Sequence, residues 1–177
     1  MKEPKHLGMG KEFPYTDLIL ALSAVLFFLV WISDSFILRF SERFTGFVPD
    51  AIRVVLFGGL EVSAIISGFH SHKALFNRKN VDSTLITNGI FAYVRHPLYL
   101  SILLSYLGFV FGAMSLVSLI PWVCYVVLFD KMATYEEEDL ARIFGDRYIE
   151  YRKRVPKWIP RLISPKTGKS LPSRKER

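Results

Sequence analysis

Three long stretches of this chain carry almost no charge, and each is apolar enough to sit in a bilayer. The first, residues 17–38, reads "DLILALSAVLFFLVWISDSFIL"; at about 1.5 Å per helical residue it reaches across a hydrocarbon core of roughly 30 Å. The second, residues 51–69, predicts another crossing although Arg53 and Glu61 interrupt it. The third, residues 98–129, is too long for one crossing. It is long enough for two short helices, 98–112 and 115–129, joined tightly near "FGAMS". The expected fold class is an all-α membrane protein with about four transmembrane helices, the third and fourth forming a tight hairpin.

Composition and charge turn this pattern into an orientation. The chain has 177 residues, 51% of them apolar, with a net charge of +7, which excludes an ordinary soluble domain. Lysine and arginine accumulate on the cytoplasmic side during insertion. With four crossings both termini share a side. That side holds 20 of the 23 basic residues, leaving Arg39, Arg43 and Arg53 on the other. Both termini are therefore expected in the cytoplasm, with a prokaryotic cell membrane favoured over the endoplasmic reticulum. Helix one lacks a small-residue cleavage site and is expected to act as an anchor rather than a signal peptide.

One domain is expected over residues 1–163, with a cytoplasmic helical segment at 130–163. The tail 164–177, "SPKTGKSLPSRKER", is polar and basic; it is expected to be disordered against anionic membrane lipids, with no nucleic-acid partner. The single Cys124 excludes an intramolecular disulfide framework and is expected to serve as a small core residue. Oligomeric state is left open.

Two polar clusters flank the hairpin. In "GIFAYVRHPLYL" Pro97 favours the first turn of a helix, which places Arg95 and His96 at the helix mouth and Tyr99 one turn in. A helix N-terminus has unsatisfied N–H groups and partial positive charge, so this cluster could hold an anion. The alternative is an interfacial anchor of arginine and aromatic residues. The second cluster, Glu136 to Glu138, follows helix four about one turn beyond its last apolar residues. Because the two helices form a hairpin, cations and phenols should oppose carboxylates across a small cytoplasmic pocket. Asp34, near the end of helix one, is expected to reach water. Glu61 either faces that pocket or pairs with Arg53. His70 and His72 point to different sides of a helix, and no metal site is expected.

"LITNGIFAYVRHPLYL", followed about 35 residues later by "EEEDLARIFGDRYIEYRKRVPKWIP", resembles the integral-membrane methyltransferases that include isoprenylcysteine carboxyl methyltransferase and the phospholipid N-methyltransferases. The resemblance covers roughly residues 58–160 and implies S-adenosylmethionine as cofactor. It implies that His96 and Tyr99 hold the methionyl carboxylate, that Glu136 and Glu137 receive the ammonium and ribose groups, and that backbone around Leu85 and Ile86, ahead of Gly89, contacts the adenine. The Gly-rich loop of a soluble Rossmann-type methyltransferase is absent from the sequence.

A sulfonium donor and a carboxylate acceptor give neutral products, so a dry site disfavours the charged reactants more than the charge-dispersed transition state. Arg95 could orient such a carboxylate through its two-pronged donor. In the carboxyl methyltransferases an arginine usually precedes the glutamates by about one turn. This chain has Met132 there, with Lys131 beside it as the substitute cation. The acceptor is therefore read as lipid-like or prenylated, entering from the bilayer between helices two and four, with carboxyl O-methylation slightly favoured over N-methylation of a lipid amine. Two other classes stay open. A sterol-type membrane reductase shares the "Y..Y...VP..IP" ending, and a non-enzymatic scaffold could use Gly108 and Gly112 as a small-residue packing pair.

Overall fold

The computed structural model describes residues 13–76 and 85–161. The basic N-terminal residues and the tail 164–177 lie outside the described residues. Within them the fold is all helix: α1 Thr16–Ile32, α2 Asp50–Phe76, α3 Pro97–Ala113, α4 Leu119–Phe144 and α5 Asp146–Arg154. A wider π-helical turn, Ser33–Leu38, extends α1, and a 3-10 segment, Phe40–Phe47, leads towards α2. Three helical stretches, Thr16–Leu38, Asp50–Leu75 and Leu116–Phe144, are long and apolar enough to cross a membrane; α3 is a shorter apolar helix.

The central position of α3 explains how it can be shorter. It buries Tyr99, Ser101, Leu103, Tyr106, Gly108 and Val110. By contrast α1, α2 and α4 turn Leu22, Leu29, Val55, Ile65, Ile120 and Val127 outward, as a lipid-facing belt requires. Lipid tails are as apolar as leucine, so the helices are held by close packing and interhelical hydrogen bonds worth about 0.6–2 kcal/mol each. On the α1 side, the rings of Phe27 and Tyr106 stack at 4.2 Å, and the Trp31 indole N–H donates to the Phe109 carbonyl at 3.0 Å. The Trp122 indole of α4 likewise donates to the Leu103 carbonyl at 2.9 Å.

Against α2 the approach is closer still. A Cβ on Gly108 would come within 2.7 Å of a Glu61 carboxylate oxygen, and one on Gly112 within 3.1 Å of the Phe57 ring. The two glycines thus serve packing inside the chain. Helix three begins at Pro97 as expected, and the hairpin turns at Met114, a non-glycine residue in the left-handed region (φ 54°). The Ser115 N–H then returns to the Val110 carbonyl at 3.0 Å.

Four expectations are corrected. First, α2 does not stop at residue 69 but continues to Phe76, because the helix persists after its sequence turns polar. Second, Asp34 does not reach water: it is 2% exposed and accepts bonds from the Ser41 backbone N–H, the Ser41 hydroxyl and the Ser115 hydroxyl (3.1, 2.7 and 2.6 Å). It ties the loop after α1 to the α3–α4 turn. Third, Glu61 is not among the residues that line the cavity beside His96 and Glu136, nor does it pair with Arg53. Its carboxylate accepts from Ser105 at 3.1–3.2 Å, while Arg53 pairs with Asp50. Fourth, Cys124 faces outward from α4 and is exposed.

Candidate functional site

The site is assembled where the head of α3 meets the base of α4. Gly89 adopts φ +62°, a left-handed conformation that suits glycine, and turns the chain into a short 3-10 segment, Gly89–Ala92. That segment rests on α5, whose Tyr151 hydroxyl donates to the Phe91 carbonyl at 2.7 Å. Pro156 stops α5, and the chain then runs back beside the Arg95 segment. The Arg95 N–H donates to the Pro156 carbonyl at 3.0 Å, and the Arg161 N–H donates to the Tyr93 carbonyl at 3.2 Å. The Trp158 ring lies 6.1 Å from that of His96, and its indole N–H donates to Asp130 on α4 at 2.8 Å.

These supports bring the two polar clusters together. His96 Nε2 donates to Glu137 Oε1 at 3.0 Å, and Arg95 Nη2 reaches the same oxygen at 3.2 Å. His96 Nδ1 stands 3.7 Å from Glu136, which also accepts from the Tyr99 hydroxyl. Side-chain exposure is 6% for Glu137, 9% for His96 and 10% for Arg95, so the charges neutralise one another inside the protein. Without that pairing, burial would cost several kcal/mol per ion.

A cavity of about 180 Å³ opens beside the cluster. His96, Tyr99, Arg95 and Glu136 give it polar walls; Leu75, Leu85, Ile86, Phe91 and Leu140 give it apolar ones. Burial pushes the phenols of Tyr148 and Tyr151, also in the wall, well above the ordinary tyrosine value, so both stay neutral.

Of the residues expected from sequence, Arg95, His96, Tyr99, Glu136 and Glu137 come together, and Leu85 and Ile86 line the same cavity. Gly89 is exposed and shapes the loop from outside the cavity wall. Glu137 stands behind His96 and Arg95, whereas Glu136 faces the cavity. Lys131 is not brought to the cluster; it lies exposed on α4. The cation next to the base of α4 is Lys157, 2.6 Å from Asp130 and 2.7 Å from the Thr134 hydroxyl. The histidines of α2 are exposed, and His70 Nδ1 contacts the Ile66 carbonyl at 2.8 Å.

Sequence reasoning missed the walls that the first two helices supply. Asp17 and Leu20 come from α1, which carries no motif, and Ser71 comes from α2. Leu20 of α1 and Leu75 of α2 give the cavity apolar flanks, and Leu140 of α4 gives another.

Together these features define a multi-pass helical membrane protein with a cavity beside a buried charge pair at one end of its helical hairpin. Residues 51–147, more than half of the chain, match the family model described as phospholipid methyltransferase, and the chain belongs to that family. It is 37% identical over 107 residues to a protein-S-isoprenylcysteine O-methyltransferase of Schizosaccharomyces pombe, covering 57% of this chain and 44% of that protein. It is 29% identical over 137 residues to the rat protein of the same name, covering 72% and 46%. A further relative, 33% identical over 92 residues and covering 50% and 41%, is the cobalt-zinc-cadmium resistance protein CzcN of Cupriavidus metallidurans. The chain spans about half the length of these relatives.

Proposed function

We propose that the protein is an S-adenosylmethionine-dependent methyltransferase acting on the carboxylate of a prenylated or lipid-like acceptor. The observation that carries this reading is the cavity in which His96 and Tyr99 meet Glu136: donors beside a carboxylate, an arrangement that suits a zwitterionic amino-acid group. Two donors in the same wall, the Ser71 hydroxyl and Arg95 Nε, are buried without a hydrogen-bond partner among the described residues, which fits a ligand rich in acceptors. His96 and Tyr99 would hold the carboxylate of the donor, Glu136 its ammonium, and Leu85 and Ile86 its base. Glu137 would keep Arg95 and His96 in place.

When bound, the sulfonium supplies an electrophilic methyl group. The protein's part is to align acceptor oxygen and methyl carbon and to keep water from charges that are lost as product forms. A carboxylate needs no general base, and Arg95 would orient it. The acceptor's chain would enter from the bilayer between α1 and α2, past Leu20 and Leu75. The names of the O-methyltransferase relatives support a prenylated acceptor. The charge bias of the sequence supports four crossings with both termini in the cytoplasm.

The test is transfer of labelled methyl from S-adenosylmethionine, in proteoliposomes, to N-acetyl-S-farnesylcysteine or to phosphatidylethanolamine. Labelling of the prenylcysteine, abolished in His96→Ala, is expected. Labelling of the amine lipid alone would overturn the carboxylate assignment, and labelling of neither would count against the activity. One observation favours the amine: Asp17 and Glu136 both line the cavity, and Lys131 lies away from it.

A further inference from the structure

Ser71 is 0% exposed, and its hydroxyl has no hydrogen-bond partner among the described residues. Buried hydroxyls are nearly always bonded, and one left unpaired is a cost that needs a reason. The local packing places this one at a definite spot. Along the antiparallel seam of α2 and α3, Phe57 meets Gly112, Glu61 meets Gly108 and Gly68 meets Ser101. The Ser67 hydroxyl donates to the Pro97 carbonyl at 2.9 Å. One turn further on, Ser71 lines the cavity together with Pro97 and Leu98, the first residues of α3.

That end of α3 has its own unmet donors. Its first N–H groups lack intrahelical acceptors, and its dipole is positive there. Arg95 lies just ahead of it; its Nη1 donates to the Arg152 carbonyl at 3.3 Å and its Nη2 faces Glu137, while its Nε, like the Ser71 hydroxyl, has no partner among the described residues. Donors of three kinds therefore gather at one wall of the cavity, and what they lack is an anion with several acceptor lone pairs. Asp17 and Glu136 line the same cavity and would repel a doubly charged group, which leaves a carboxylate as the fitting chemistry.

We propose that Ser71 is a ligand-binding residue whose hydroxyl donates to a carboxylate seated at the N-terminus of α3. The assignment rests on the methyltransferase reading and deepens it. The carboxylate could belong to the methyl donor's amino-acid portion or to the acceptor, and Ser71→Ala separates the two. Binding would be measured by calorimetry with S-adenosylhomocysteine and with methylthioadenosine, which lacks the amino-acid carboxylate, and the KM for N-acetyl-S-farnesylcysteine would be measured alongside.

Loss of one hydrogen bond to a charged group should weaken the affected ligand about ten- to hundredfold. If S-adenosylhomocysteine weakens and methylthioadenosine does not, the donor's carboxylate is the partner. If only the KM of the prenylcysteine rises, the acceptor's is. Because the hydroxyl has no partner among the described residues, the melting temperature of the ligand-free variant should hold or rise. Unchanged binding and KM, equal weakening of the two nucleosides, or a lower melting temperature with intact binding would each overturn the proposal. Failure of the wild-type protein to bind S-adenosylhomocysteine would instead overturn the methyltransferase reading, and the role of Ser71 with it.

Discussion

Glu137→Gln is the substitution that best separates support from ligand contact. The carboxylate is 6% exposed and faces two groups, His96 Nε2 at 3.0 Å and Arg95 Nη2 at 3.2 Å, and Arg95 itself is only 10% exposed. Glutamine keeps the shape and one acceptor oxygen but removes the charge, leaving an arginine buried without compensation. Breaking a buried pair in this way costs about 3–5 kcal/mol, whereas replacing both partners by apolar residues is often neutral or stabilising. The single variant should therefore unfold about 3–5 kcal/mol more easily, in detergent micelles followed by circular dichroism. The double variant Arg95→Met with Glu137→Leu should regain most of that loss. Neither should bind S-adenosylhomocysteine normally, since the carboxylate that positions both His96 and Arg95 is gone. Glu136→Gln, by contrast, should lose affinity with little loss of stability. Wild-type stability in Glu137→Gln, or a double variant no better than the single one, would refute the view that Glu137 holds the site together by charge.

Two further outcomes are expected. The phenols of Tyr148 and Tyr151 are raised by burial, so between the ordinary tyrosine value near 10 and their own higher values the unfolded chain releases protons that the folded chain keeps. Stability should fall as pH rises through that window, and near-ultraviolet titration of the folded protein should fall at least two phenolates short of all eight tyrosines; full ionisation near pH 10 would contradict the burial. For topology, in a Cys124→Ser background, Thr45→Cys should react with an impermeant thiol reagent from outside only and Glu138→Cys from inside only, and the reverse pattern would invert the orientation.

Hydropathy made the crossings legible because charge is excluded from hydrocarbon whatever the tertiary structure. It reports depth in the membrane and not helix length, which is why α2 runs on through "HSHKALF" after the apolar stretch ends. Neither could it show which side of a helix faces protein. A helix in lipid is apolar on all sides, so Cys124 gave no sign of pointing outward. The partners of Asp34 were hidden for another reason: Ser41 and Ser115 lie 7 and 81 residues away. At the site, Arg95, His96, Tyr99 and the glutamates were legible because helix-start chemistry and a hairpin put them on one face. Ser71 was not, yet a signal existed. Phe57, Glu61, Ala64, Gly68 and Ser71 recur at three- and four-residue spacing, which marks the face of α2 that meets α3.

The acceptor's charge is where structure and relatives pull apart, and its proton chemistry can decide between them. Arg95 is already neutralised by Glu137, Lys131 stands away from the cluster, and Asp17 and Glu136 line the cavity, so electrostatics offer an anion less than the sequence suggested. Against this, Arg95 Nε and the α3 N-terminus still present donors that a dry site would use on a carboxylate. A carboxylate with a reference pKa near 4 is ionised throughout the neutral range, so turnover should be nearly flat from about pH 6 to 9. An ammonium must first lose a proton, and its rate should climb about tenfold per pH unit until it is deprotonated. The measurement is initial methyl transfer to N-acetyl-S-farnesylcysteine and to phosphatidylethanolamine at saturating donor across that range. A flat profile with the prenylcysteine is expected. A steep rise confined to the amine lipid, and lost in Glu136→Gln, would assign Glu136 as the base and the reaction as N-methylation.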